Sequence, residues 1–284
     1  MCVSPIEIHR KVAGKVQTFV VPCGKCPECL NAKQNDNAVL SYLEAVKRGK
    51  LVFATLTYNN ETFPIKARNV VVDKDGIEQC SSPSFVTDSI SSDFRKEYID
   101  LVGEDFSKPV RLFVLEDKAG KKSYFEYAPS LCRKDFQDLL KRARVRYERA
   151  HGKDSLPDFS YMLVGEYGEQ HHRPHYHVCF YGLDISVVSE LLHEWPRLYG
   201  FHDIRKVERF TSDPSHDGFF AASRYLGKYL TKGESDSYNV LCGLAEKSRV
   251  CRSIGFGLPD KRVLQSLLSI TLWKIMMDIH WVSF

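Results

Sequence analysis

The segment Arg173-Pro174-His175-Tyr176-His177-Val178-Cys179-Phe180 sets two imidazoles two residues apart in a β-forming run. In an extended strand, residues i and i+2 share a face, so His175 and His177 point one way. Tyr176, Val178 and Phe180 point the other way, towards a core. Two imidazoles about 7 Å apart along a strand can converge on one divalent ion. Such an ion acts as a Lewis acid in phosphoryl chemistry, polarising the phosphate and offsetting developing charge. A third ligand is available in Val164-Gly165-Glu166-Tyr167-Gly168, where Glu166 sits at the end of the preceding strand. If the two strands form a hairpin, Glu166 lies beside the histidines, and this donor set leaves positions open for phosphate and water. Glu169 competes as a ligand but falls in the connecting loop with His171 and His172, which face solvent or nucleic acid. A plain polar sheet face is the alternative reading of the pair.

A second segment, Arg224-Tyr225-Leu226-Gly227-Lys228-Tyr229-Leu230-Thr231-Lys232, reads as a helix. Four residues turn an α-helix by roughly 400°, so Tyr225 and Tyr229 share a face, and Lys232 returns to it. Leu226 and Leu230 form the apolar side that packs on a sheet. A phenol titrates near about 10 and is a weak nucleophile until a metal activates the electrophile and a lysine offsets charge. Two phenols suit two successive transesterifications, whereas packing or interface roles are the bland alternative. Lys228, slightly off the face, Arg224, and Arg173 beside the histidine strand are the candidate contacts to a polyanion.

Cysteines make a third cluster. Cys23-Gly24-Lys25-Cys26-Pro27-Glu28-Cys29 supplies three thiolates in seven residues, and Cys2 completes a tetrahedral zinc site. His9 is the other candidate for the fourth position, iron–sulfur ligation is a lesser alternative, and free thiols in a tight turn are the bland one. The total of nine cysteines is odd, and their scatter does not read as a disulfide framework.

The elements needed to position these groups are legible in outline. The chain has 284 residues, with 43% hydrophobic and 27% charged, the balance of a globular protein. Its net charge of +4 is compatible with nucleic acid without pointing to it. No secretory signal is recognisable, and the apolar stretch 264–284 is broken by Lys274, Asp278 and His280, so a buried or partner-facing helix is expected there rather than a membrane span. A reducing cytoplasm is the expected location. Periodicity predicts a helix over 30–48 ended by Gly49, and a strand Leu51–Tyr58 buried on both faces. A strand at 70–72, a polar loop over 81–92 and a hairpin of 111–115 with 123–127 are expected next. Further on come a helix over 131–150 with a basic row, strands 159–167 and 174–183, a helix 185–198, a strand 201–210 and a helix 218–231. Alternating strands and helices give an α+β class.

These motifs, in this order, resemble the HUH endonucleases, in particular the two-tyrosine replication initiators of Microviridae, gokushovirus type. Phe53–Tyr58 (FATLTY) is similar to that family's first motif, RPHYHV to its second and YLGKYLTK to its third, while the CGKC cluster also fits. The resemblance runs from about Cys2 to Gly257, is weakest over 59–130, and does not extend to the last 25 or so residues. It implies a central antiparallel sheet with flanking helices and a ferredoxin- or RRM-like core. The implied domains are a cysteine cluster and helix (1–50), an endonuclease domain (51–257) elaborated at 59–130, and a C-terminal tail or helix (258–284). It implies further that Tyr225 or Tyr229 attacks a phosphate of single-stranded origin DNA, leaving a 5′-phosphotyrosine and a free 3′-hydroxyl for a host polymerase, with a helicase in attendance. His175, His177 and Glu166 would hold Mg²⁺ or Mn²⁺, and Lys232 matches the family's lysine. The expected setting is the cytoplasm of a bacterial host. Rival readings are a relaxase or a transposase, though transposases of this kind resemble one-tyrosine proteins. A non-catalytic, zinc-stabilised nucleic-acid-binding protein whose tyrosines stack on bases is a rival of another class.

Overall fold

A computed structural model describes residues 2–86, 88–103, 105–210, 217–232, 242–253 and 256–257, without the side chains of 88–91 and 229–232. The expected C-terminal tail or helix at 258–284 lies outside the described residues. The chain opens with a ribbon, β1 (Ile6–Val12) and β2 (Lys15–Val21), turned by Ala13 and Gly14 at φ 48° and 81°. Positive φ at both central positions matches the twist of the strands. No element is expected here from sequence, because Ala13 replaces the Asn or Asp that usually marks such a turn.

Helix α1 (Pro27–Arg48) starts with a proline, carries Glu28 in its first turn and Lys47 and Arg48 in its last, and ends at Gly49 with φ 72°. Each feature suits the helix end it occupies. Strand β3 (Leu51–Tyr58) follows, buried at Val52, Ala54, Leu56 and Tyr58 on one face.

Residues 59–130 form a sheet and a helix of their own: β4 (Ile65–Val72), β5 (Glu78–Cys80), β6 (Ser84–Phe85), α2 (Asp88–Val102), β7 (Val110–Glu116) and β8 (Lys122–Pro129). The sheet runs β5-β4-β8-β7, with β6 also on β4, and β7 and β8 pair as expected. The expected loop over 81–92 is corrected, since it contains β6 and the start of α2. That helix is held by tertiary burial of Phe94, Tyr98, Ile99 and Val102, which polar composition around residue 90 conceals.

The rest runs α3 (Arg133–His151), β9 (Ser160–Tyr167), β10 (Pro174–Tyr181), α4 (Ile185–Leu192), α5 (Trp195–Leu198), β11 (Gly200–Val207), α6 (Gly218–Lys232) and β12 (Val250–Arg252). The single helix expected at 185–198 is two, because Pro196 lacks an N–H and clashes with a preceding turn. The strand expected at 201–210 stops at Val207.

The central sheet is antiparallel throughout, in the order β11-β3-β10-β9-β12. Helices cover both faces, so the α+β expectation holds. On one face Phe136, Leu139 and Ala143 of α3 and Val188 and Leu191 of α4 pack against Tyr176, Val178 and Phe180. On the other, Ala45 of α1 and Phe219 and Leu226 of α6 pack against Met162, Val164, Cys179 and Tyr181. Helices α1 and α6 touch closely at Gly227, where a Cβ would stand 3.1 Å from the Gln34 carbonyl oxygen. Ser41 ties the layers together, with its hydroxyl 2.7 Å from Tyr181 Oη and 2.8 Å from Ser223 Oγ. No described helix is long and apolar enough to cross a membrane.

Candidate active site

Strand register builds the first half of the site. His175 stands opposite Glu166 on β9 and Thr57 on β3, and His177 opposite Val164 and Thr55. Directly opposed residues in antiparallel strands share a face, so all these side chains point towards the α1/α6 side. Glu166 Oε2 lies 3.3 Å from His175 Nε2 and 3.2 Å from His177 Nε2. Glu166 and His177 are buried, and His175 is partly so.

Hydrogen bonds define the imidazoles. His175 Nδ1 is 3.1 Å from the Arg173 carbonyl oxygen, which can only accept, so this nitrogen carries the proton. A neutral His175 therefore turns its Nε2 lone pair towards the Glu166 carboxylate. His177 Nδ1 lies 3.2 Å from Thr55 Oγ1. Glu166 Oε2 is buried and accepts no well-formed hydrogen bond. Three lone-pair donors facing one another across 3.2–3.3 Å call for a cation between them, and two imidazoles with a carboxylate are donors that a divalent ion accepts. Burial raises the Glu166 carboxyl, but the two histidines outweigh it and hold the group below its usual range.

The loop between β9 and β10 is pinned from outside. Phe106 N–H donates to the His171 carbonyl oxygen at 2.9 Å, and the Arg173 guanidinium lies 4.5 Å from the Phe106 ring centre. Arg173 also donates to the Tyr58 carbonyl oxygen and to Asn60 Oδ1. One contribution of the 59–130 region is thus to buttress the loop carrying Arg173.

Tyr225 supplies the second half. Its ring centre is 6.1 Å from that of His177 and 5.6 Å from that of Phe53, and the residue is 47% exposed. It shares a cleft of about 650 Å³ with Glu166, His175, His177, Arg173 and Glu169. Glu169 lines this cleft from the loop but is outside the three-donor group. Tyr229 and Lys232 belong to α6 by their backbone, and their side chains, like that of Leu230, lie outside the described residues. Arg224 and Lys228 are exposed on α6 and do not line the cleft. The basic row of α3 is on the wrong side to serve this cleft, since α3 packs on the opposite face of the sheet. Two of its members have structural work, Arg146 pairing with Glu194 at 3.0 Å and Arg144 lying over Phe159.

The cysteines form a separate centre. Cys2, Cys23, Cys26 and Cys29 bring their sulfurs within 4.8 Å of one another, with Cys23–Cys29 at 3.9 Å and Cys2–Cys26 at 3.8 Å. Tetrahedral zinc with bonds of about 2.3 Å requires sulfurs about 3.8 Å apart. Amides of Lys25 and Cys26 donate to Cys23 Sγ and lower its thiol to about 6. The Gly24 amide favours the Cys29 thiolate, but burial and the neighbouring sulfurs outweigh it and push that thiol up to about 12. His9 is not in the group; its Nδ1 lies 2.9 Å from Thr18 Oγ1 on the ribbon. Thr55 is the residue sequence reasoning missed, although alternation in FATLTY sets Thr55 and Thr57 on one face.

Residues 122–234 match the family of phage-type replication proteins described as Replication-associated protein ORF2, a segment that contains Glu166, both histidines and both tyrosines. The Replication-associated protein ORF2 of Spiroplasma virus 4 is 29% identical over 100 residues, covering 34% of this chain and 31% of that protein. The Replication-associated protein VP4 of Bdellovibrio phage phiMH2K is 22% identical over 172 residues, covering 61% and 35%. The chain thus spans about a third of the length of these relatives. It is similar to phage replication-associated proteins. No solved structure matches it.

Proposed function

We propose that this chain is a metal-dependent nickase and strand transferase that acts on single-stranded origin DNA and starts rolling-circle replication of a small phage genome of the Microviridae type. The observation carrying this reading is the shared cleft, in which the exposed phenol of Tyr225 stands beside the Glu166, His175 and His177 donors. Those three residues would hold Mg²⁺ or Mn²⁺, which when bound polarises the scissile phosphate and offsets its charge. The phenolic oxygen of Tyr225 or Tyr229 attacks phosphorus and forms a P–O bond. The bond from phosphorus to the 3′ oxygen breaks, and the phenol's proton is replaced by solvent exchange onto that oxygen, giving a 3′-hydroxyl and a 5′-phosphotyrosine. A host polymerase extends the hydroxyl behind a helicase, in the bacterial cytoplasm. The second tyrosine repeats the transfer when the circle is complete, and a returning 3′-hydroxyl displaces the first phenol.

Arg173, held by Tyr58, Asn60 and Phe106, positions the strand at the cleft, with Arg224 and Lys228 flanking it on α6. Lys232 offsets phosphate charge or favours the phenolate. The four cysteines bind a structural zinc that fixes the start of α1. The test is incubation of the full chain with single-stranded origin DNA and Mn²⁺, followed by denaturing electrophoresis. A DNA–protein adduct that survives SDS is expected, absent with chelator and absent from the Y225F/Y229F double variant. An adduct retained by the double variant would overturn the site. Tight binding with no adduct from wild type would favour a non-catalytic binding protein.

A further inference from the structure

The β1–β2 ribbon is used by nothing described so far. Among the described residues neither strand packs closely against another element, and every residue from Ile6 to Val20 is exposed except half-buried Ile8. A lone two-stranded ribbon is marginal in water. This one is held at its base, where Cys2 precedes β1 and Cys23 follows β2 within the four-sulfur cluster.

Its charge is distributed by position. Residues 9–18 contain Arg10, Lys11 and Lys15 and no acid, and the ribbon's one acid, Glu7, is in the basal half. None of the three cations makes an ion pair among the described residues. Exposed apolar pairs, Ile6 with Val21 and Ile8 with Phe19, are confined to the basal half. Arg10 stands directly opposite Gln17, with Lys15 on the same face, while Lys11, His9 and Thr18 occupy the other.

We propose that the distal half of this ribbon is a duplex-DNA arm that enters the major groove. A two-stranded ribbon fits a groove about 12 Å wide and 8.5 Å deep. Four residues, His9 to Val12, extend about 13 Å, enough to reach the floor. Arg and Gln side chains are the ones that pair bidentately with guanine and adenine edges, and here they are adjacent on one face. Lys11 and Lys15 meet flanking phosphates. Residues 9–18 include no Phe, Tyr or Trp, so the tip lacks the stacking platforms that single-strand binders use. The arm supplies a contact to double-stranded DNA that the Tyr225 cleft does not, and it stands whether or not that cleft nicks.

The test uses the full chain, a fluorescent duplex and its top strand alone, titrated across a salt series. Substituting all three cations, R10S/K11S/K15S, removes up to three phosphate-facing charges. The slope of log affinity against log salt for the duplex should fall by about 2 to 3, and the ratio of duplex to single-strand affinity at least about tenfold. The charge-keeping pair R10K/K11R should retain most of the slope, which separates lost charge from lost folding. An unchanged slope and ratio in the triple variant would overturn the arm, as would wild type that does not bind the duplex. So would a triple variant that alters the sedimentation of the free protein, since a second copy would then occupy the ribbon. Adduct formation is scored in parallel. Binding through the ribbon without any adduct sinks the nickase alone, and nicking with an unaltered triple variant sinks the arm alone.

Discussion

Thr55 tests the site's physical logic because its effect passes through an imidazole it never shares with substrate. Its hydroxyl lies 3.2 Å from His177 Nδ1, and a metal-bound His177 must carry its proton there. Changing Thr55 to Val keeps the β-branched shape and removes the acceptor. His177 then either holds a buried Nδ1–H without this partner, or moves its proton to Nε2 and stops being a ligand. An unsatisfied buried donor costs about 1–3 kcal/mol, and loss of an outer hydrogen bond to a ligating histidine typically weakens metal about 10- to 100-fold, the same range in other units. Mn²⁺ affinity of T55V, by calorimetry or by the free-Mn²⁺ EPR signal, should therefore fall about 10- to 100-fold. The Mn²⁺ concentration giving half-maximal adduct should rise in step, while T55S stays near wild type. Melting in chelator should change by only about 1 kcal/mol, the worth of one hydrogen bond. T55V that binds Mn²⁺ as tightly as wild type would refute the reasoning, because His177 would then need no orienting partner.

Other expectations follow from the same geometry. Glu166 in the metal-free fold titrates below its ordinary value of 4.5, so its contribution to stability is present above that pH and is lost as pH falls through the lowered folded value. Melting of wild type minus E166Q in chelator, followed downward in pH, should shrink across that window, and a difference independent of pH would contradict it. With metal removed, Cys23, lowered to about 6, should be the first of the four clustered thiols alkylated by iodoacetamide near neutral pH, and zinc should protect it; peptide mass spectrometry reads both. At Gly227 a Cβ would sit 3.1 Å from the Gln34 carbonyl oxygen, so G227V should push α6 from α1 and lower adduct yield about tenfold or more through misplacement of Tyr225. Nicking at the wild-type rate by a folded G227V chain would show that this close approach does not set the tyrosine.

What was legible from sequence was what local periodicity controls. The His-x-His alternation, Glu166 at a strand end and the four-residue tyrosine step each fix a direction, and for the first two the fold supplies the partner strand at the expected register. For Tyr225 it supplies the cleft. The four cysteines meet although Cys2 is twenty-one residues from Cys23, because the intervening ribbon returns the chain to its start. That ribbon was itself illegible, since an Ala-Gly turn and a strand carrying Arg10 and Lys11 carry no burial pattern. Helix α2 was missed for the opposite reason: Phe94, Tyr98 and Val102 are buried by strands remote in sequence. Thr55 acquires its role only through the pairing of β3 with β10.

The central claim is a covalent bond between one of two particular phenols and DNA, and the two fall on separate tryptic peptides, Tyr225–Lys228 and Tyr229–Lys232. Digestion of the Mn²⁺-dependent adduct with nuclease and trypsin, followed by tandem mass spectrometry, should find a 5′-phosphonucleotide on one or both of these peptides. A modified residue anywhere else in the chain would contradict the account.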